Sequence, residues 1–157
     1  MRHAALLCSA MVLAACTKAD TAADTTTVAD TSIPVAAAEP APMSLDQVAG
    51  KWNVRITSAE TGDSTLTSYV LDAKPDTTGW TFQFPTGQPI AMRVKSMAGD
   101  SLVTEAGPFE SRLQKNVKVN STVTWRLRDG KLVGAVTSHY DSKPPTTRSL
   151  ISEGTRQ

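Results

Sequence analysis

Thiols and imidazoles are almost absent from this sequence: its 157 residues include two cysteines, Cys8 and Cys16, and two histidines, His3 and His139. So few soft ligands exclude a disulfide framework and the usual Cys/His zinc sets, leaving only carboxylate-rich sites for a hard metal. The acids available for such a site, Asp63, Asp76, Asp100 and Asp129, each lie in a turn, where aspartate is expected for backbone hydrogen bonding alone. No metal and no cofactor is therefore expected. Charge of one sign is lacking too. The formal net charge is +1, with no basic stripe and no stacking platform, which argues against nucleic acid as a partner. No Gly-x-Ser-x-Gly elbow occurs to present a nucleophilic serine. His139, beside Tyr140 and Asp141, alternates with Thr137 and Ala135 on the face opposite Val136 and Leu132, so it is expected to point outward rather than serve as a base. Glu105 and Glu110 are separated by a Gly107-Pro108 bend, which suits a lip or turn at a rim better than two carboxylates facing one another across a cleft. The chain is expected not to be an enzyme.

What the sequence does contain begins at its first residue. Met1, Arg2 and His3 precede a nearly unbroken apolar stretch from Ala4 to Ala15, the charged and hydrophobic regions of an export leader. The stretch is shorter than the about 20 apolar residues that a membrane-spanning helix needs. It ends Leu13-Ala14-Ala15-Cys16, which resembles the lipobox of bacterial lipoproteins. The resemblance implies a cleaved leader over residues 1–15, an acylated Cys16, and a mature chain with no free thiol. Acyl chains contribute about 0.8 kcal/mol per buried CH₂, so several of them make the membrane a permanent partner. Thr17 stands where such proteins carry aspartate for inner-membrane retention, so the resemblance also implies the periplasmic side of an outer membrane.

Residues 16–43 are dominated by Ala, Thr, Asp and Pro, with Ile33 the one large aliphatic among Thr17–Pro42 apart from scattered valines. Such a composition buries too little apolar surface to offset the entropy of ordering, and it predicts a disordered, lipidated tether extended by Pro34, Pro40 and Pro42. The remainder, residues 44–157, is long enough for one hydrophobic core and is expected to be one domain.

Within that domain Ser44-Leu45-Asp46-Gln47 fits a capping box, with Gly50 closing a single helical turn. The pattern then changes to period two. Trp52, Val54 and Ile56 share one face while Lys51, Asn53 and Arg55 share the other. The same alternation runs through Trp80, Phe82 and Phe84, through Ile90, Met92 and Val94, and through Val123, Trp125 and Leu127. Turn signals at 61–63, 74–76, 85–87, 98–100 and 129–130 leave no room for crossover helices. The spacing predicts an all-β domain of roughly eight strands, near 51–58, 65–73, 79–84, 89–98, 101–106, 116–128, 131–140 and 146–156. Tight successive connections favour a closed antiparallel up-and-down barrel over a two-sheet sandwich, which needs at least one long return.

Gly50-Lys51-Trp52 on the first strand and Gly154-Thr155-Arg156 on the last resemble the calycin barrels, the lipocalins and their relatives. The resemblance implies that Trp52 plugs one end of the barrel and that Arg156 stacks across it as a closing pair, worth about 0.5–2 kcal/mol. The domain departs from lipocalins in lacking their long C-terminal helix, any cysteine and their middle motif, which argues against a large ligand cavity. Avidin-like barrels share Gly-x-Trp, but Val54 stands where their asparagine is wanted, so biotin is not expected.

The predicted inward set is Trp52, Val54, Leu66, Val70, Trp80, Phe82, Phe84, Ile90, Met92, Val94, Leu102, Val123, Trp125, Leu132 and Val136. Eight strands enclose an interior that side chains either fill or leave open for one small molecule. In the first case the domain is an envelope interaction module, with Arg93, Lys95, Arg126 and Arg128 on its outer face and a protein as partner. In the second it binds a small apolar ligand, with Trp80, Phe82, Phe84, Met92 and Trp125 as the candidate ligand-binding residues and the small Ser68, Ser96 and Gly134 making room.

Overall fold

A computed structural model of the chain describes residues 41–62 and 64–157. The expected leader, Cys16 and the linker up to residue 40 lie outside the described residues. The described chain forms one short helix and eight strands: α1 (Leu45–Val48), β1 (Gly50–Ser58), β2 (Thr65–Ala73), β3 (Thr81–Gln83), β4 (Ile90–Ala98), β5 (Ser101–Glu110), β6 (Lys118–Arg128), β7 (Lys131–Tyr140) and β8 (Thr146–Arg156). Each strand pairs antiparallel with its neighbours in sequence, and β8 returns to β1 to close the barrel. The domain is all-β, as the alternation and dense turns required.

The capping box forms. Ser44 N–H donates to Gln47 Oε1 at 2.9 Å, and Gln47 N–H donates to Ser44 Oγ at 3.4 Å. Gly50 has a different task from the one its position in sequence implied. Ala49 caps the helix, and Gly50 opens β1 with φ +127°, where a Cβ would sit 2.7 Å from the Arg156 guanidinium. Met43, at the end of the expected linker, already belongs to the barrel: its side chain is buried, and its N–H donates to Gly99 O at 2.9 Å.

Three strands differ from the expected bounds by two residues or more, each for a local reason. The third strand shrinks from 79–84 to Thr81–Gln83 because Gly79 turns the chain with φ +71° and Pro85 has no N–H to give the ladder. The fifth runs on to Glu110 instead of ending at 106. A register shift between Ala106 and Phe109 absorbs Pro108, so Glu105–Glu110 is a bulged strand and not a lip. Gly107, with φ +127°, lies so close to β6 that a Cβ would stand 2.7 Å from Val119 O. The sixth strand begins at Lys118 rather than 116, after Asn116 has turned the chain with φ +59°.

The second strand faces the opposite way from the expectation that placed Leu66 and Val70 inside. Residues opposite each other in an antiparallel pair share a face. The register Trp52↔Leu71, Val54↔Tyr69 and Ile56↔Thr67 turns Tyr69 and Leu71 inward, leaves Leu66 38% exposed and keeps Val70 half-buried. Ser68 accordingly points out, and so does Ser96, which a register shift after Val94 pairs with Val103, so neither makes room inside. Gly134 does make room, since a Cβ there would meet Trp125 Cε3 and Val123 Cγ1, each at 2.8 Å. Trp52, Trp80 and Trp125 anchor the core at 0–1% exposure. A buried indole N–H needs an acceptor. Trp52 donates to Val48 O at 2.8 Å, Trp80 to Asp76 O at 2.7 Å, and Trp125 to Thr104 Oγ1 at 2.9 Å.

Candidate functional site

The connections divide the barrel into two poles. Helix α1, the β2–β3 loop and the two-residue turns at 99–100 and 129–130 gather at one; the described residues between β1 and β2 and the loops at 84–89, 111–117 and 141–145 gather at the other. The first pole is closed. Arg156 lies over the Trp52 ring, 4.3 Å from its centroid, and donates to Ala49 O at 2.6 Å and Gln47 O at 2.7 Å. Trp52 and Arg156 are also register partners across the β1–β8 seam, so a single contact joins the first strand, the last strand and the helical cap.

The second pole opens into a cavity of about 70 Å³. Its walls are apolar and largely aromatic, drawn from Tyr69 on β2, Phe82 on β3, Phe84 just beyond it, Met92 on β4, Phe109 on β5 and Tyr140 on β7. The rings pack closely, Phe82 tilted against Tyr69 at 5.1 Å and edge to face with Phe84 at 5.5 Å and Phe109 at 5.3 Å, centroid to centroid. Such pairs contribute about 0.5–1.5 kcal/mol beyond their burial, so the wall is a braced surface. A small polar strip interrupts it, where Ser121 Oγ and Ser138 Oγ hydrogen-bond at 2.8 Å. Burial pushes the Tyr69 phenol well above its ordinary value. The Tyr140 phenol is also raised by burial, opposed by the Arg148 charge and a hydrogen bond with Ser138.

Of the five residues the sequence nominated for a ligand, Phe82, Phe84 and Met92 line this cavity, whereas Trp80 and Trp125 do not. Both of those tryptophans are fully enclosed, held by hydrogen bonds to Asp76 and Thr104. Tyr69, Phe109, Tyr140 and Arg112 line the cavity without having been nominated. Tyr140 was within reach of the sequence, because it continues the inward row of Leu132 and Val136. Phe109 follows a bulge that shifts the alternation, and Tyr69 depends on the register of β2.

The outward cations are not free. Glu105 takes Arg93 at 3.4 Å and Lys95 at 3.1 Å, while Asp100 takes Arg126 at 3.4 Å and Arg128. Both carboxyls are held below their ordinary range, Glu105 chiefly by its hydrogen bond from Lys95 and Asp100 chiefly by that from Arg128, then Ser101. His139 points outward, its Nδ1 2.8 Å from Thr147 Oγ1. Among the described residues no three His, Cys, Asp or Glu side chains are grouped to hold a metal ion.

Fold and cavity together define a small closed antiparallel barrel, plugged at one pole and open at the other, compatible with a calycin-like fold. No protein-family model, no curated protein and no solved structure matches the chain.

Proposed function

We propose that this chain is a lipid-anchored lipoprotein of the bacterial envelope, held on the periplasmic side of the outer membrane, whose barrel is a binding module and not an enzyme. The module grips a slim apolar group at its open pole. One observation carries the binding role: an aromatic-walled cavity is open at one pole while the other is sealed by a helix, a tryptophan and an arginine. The anchor rests on Leu13-Ala14-Ala15-Cys16. Native mass spectrometry of the protein isolated from its own host, followed by denaturing extraction, tests the module. A discrete small molecule released on unfolding is the expected result, and a bare mass overturns it. For the anchor, Cys16→Ser should move the protein out of the membrane fraction; undiminished membrane retention would count against acylation.

The size of the cavity favours a second reading. Sites that enclose a whole small molecule run to about 300–1,000 Å³, against about 70 Å³ here. In this reading the barrel is a filled scaffold that presents its rim to an envelope protein. Copurification of a stoichiometric protein partner with a bare cavity would support it.

A further inference from the structure

The rim of the open pole carries a charge pattern that the walls of the barrel do not. Arg112, Lys115, Lys118, Lys143 and Arg148 lie in its loops or at the strand ends beside them, against the described carboxylates Glu60, Glu110 and Asp141. Every ion pair within 4 Å among the described residues uses Asp72, Asp100, Glu105 or Glu153, and none reaches a rim cation. One of the five cations, Arg112, is built over the mouth, and a second, Arg148, stands beside the wall residue Tyr140. Arg112 lines the cavity, with its guanidinium carbon 5.0 Å from the Phe84 centroid and a hydrogen bond to Thr86 O. Gly87 makes space for it, since a Cβ there would stand 2.7 Å from Arg112 Nη2. Arg148 continues the inward row of β8 above Ser152 and Leu150, sharing a face with its register partner Ser138, and lies 5.9 Å from the Tyr140 centroid.

A guanidinium fixed over an apolar opening, with no carboxylate among the described residues paired to it, suits an anion joined to an apolar tail. We propose that the open pole recognises a small monoanionic amphiphile, its tail entering between Phe84, Phe109 and Tyr140 and its carboxylate held by Arg112 and Arg148. This rests on the binding-module reading and names the ligand class of that site. The cavity is about 70 Å³, roughly half the ~150 Å³ that takes benzene. The tail is therefore a single slim chain.

The test is calorimetric titration of residues 38–157, the compact unit that holds every described strand and the cap, with octanoate, octanol and octylamine. Octanoate should bind about tenfold more tightly than octanol, and octylamine most weakly, because a charge-assisted hydrogen bond is about twice as strong as a neutral one. Arg112→Gln and Arg148→Gln should each lower octanoate affinity severalfold and leave octanol unchanged, while Arg112→Lys keeps most of the preference. Raising salt from about 0.05 to about 0.5 M should weaken octanoate alone. Equal binding of octanoate and octanol, or a preference that survives both Gln substitutions together, overturns the anion assignment and leaves the apolar mouth standing. Failure of all three compounds to bind overturns the mouth itself, and the anion assignment with it.

Discussion

The two poles of this barrel spend similar residue types on opposite ends. At the closed pole an arginine lies over an aromatic ring and donates both arms to helix carbonyls, Ala49 O and Gln47 O, with the tryptophan beneath it bonded to a third, Val48 O. At the open pole Arg112 also lies over a ring, but its hydrogen bond goes to a loop carbonyl and its side chain is exposed. The same cation–aromatic contact is thus a structural clasp in one place and, in the other, a held charge with no ion-pair partner among the described residues. What differs is the number of backbone acceptors the local chain supplies, and that depends on a four-residue helix at one end and its lack at the other.

Substitutions should separate the poles, and the largest effect belongs to the closed one. Trp52→Ala should cost about 3–5 kcal/mol, because the cavity it leaves lies between strands and cap that cannot collapse together; urea denaturation measures it. Next comes the interior between the poles. Gly134→Val should cost about 1–3 kcal/mol by overpacking against Trp125 and Val123, again by denaturant midpoint. Arg156→Ala should lose about 1–2 kcal/mol, from the stack and the charge-assisted bonds to Ala49 and Gln47. Arg112→Gln should change stability by less than about 1 kcal/mol, so a loss equal to that of Arg156→Ala would erase the distinction between clasp and held charge.

Proton linkage gives the smallest and most local contrasts. Asp100 and Glu105 titrate below their ordinary values in the folded chain, so the stability they add is present above the unfolded pKa of about 4 and is lost as pH falls through the lower folded values. Asp100→Asn should flatten part of that acid limb. Tyr69 shows the reverse sign: its folded pKa is raised, so its contribution is intact below the unfolded value of about 10 and is lost as pH rises beyond it. Tyr69→Phe should reduce alkaline unfolding, followed by circular dichroism.

Period-two alternation and turn spacing made the barrel legible in the sequence, because both are local properties of a half-buried strand. The cavity was legible only in part, for reasons that are not local. The stretch Thr65–Ala73 carries apolar residues in both phases, Leu66 and Val70 in one and Tyr69 and Leu71 in the other, and only pairing with β1 chooses between them. Trp80 and Trp125 read as ligand contacts because they are large and inward; their depth depends on acceptors at Asp76 and Thr104 that alternation does not reveal. Arg112 sits in an irregular loop, and its place over the mouth follows from contacts with Phe84, Thr86 and Gly87, about 25 residues earlier in the chain. The outward cations were read correctly as outward, yet their partners Glu105 and Asp100 come from other strands and turns.

The position of Met43 has a mechanical consequence. The described chain joins the barrel at the pole where both β1 begins and β8 ends, and β1 is flanked along nearly its whole length by β2 and β8. An axial pull transmitted from residues ahead of Ala41 therefore draws β1 lengthwise between two neighbours. Its ladder bonds are strained together, in shear, instead of opening one after another like a zip. The pull also enters at the pole remote from the mouth and its loops at 84–89 and 111–117.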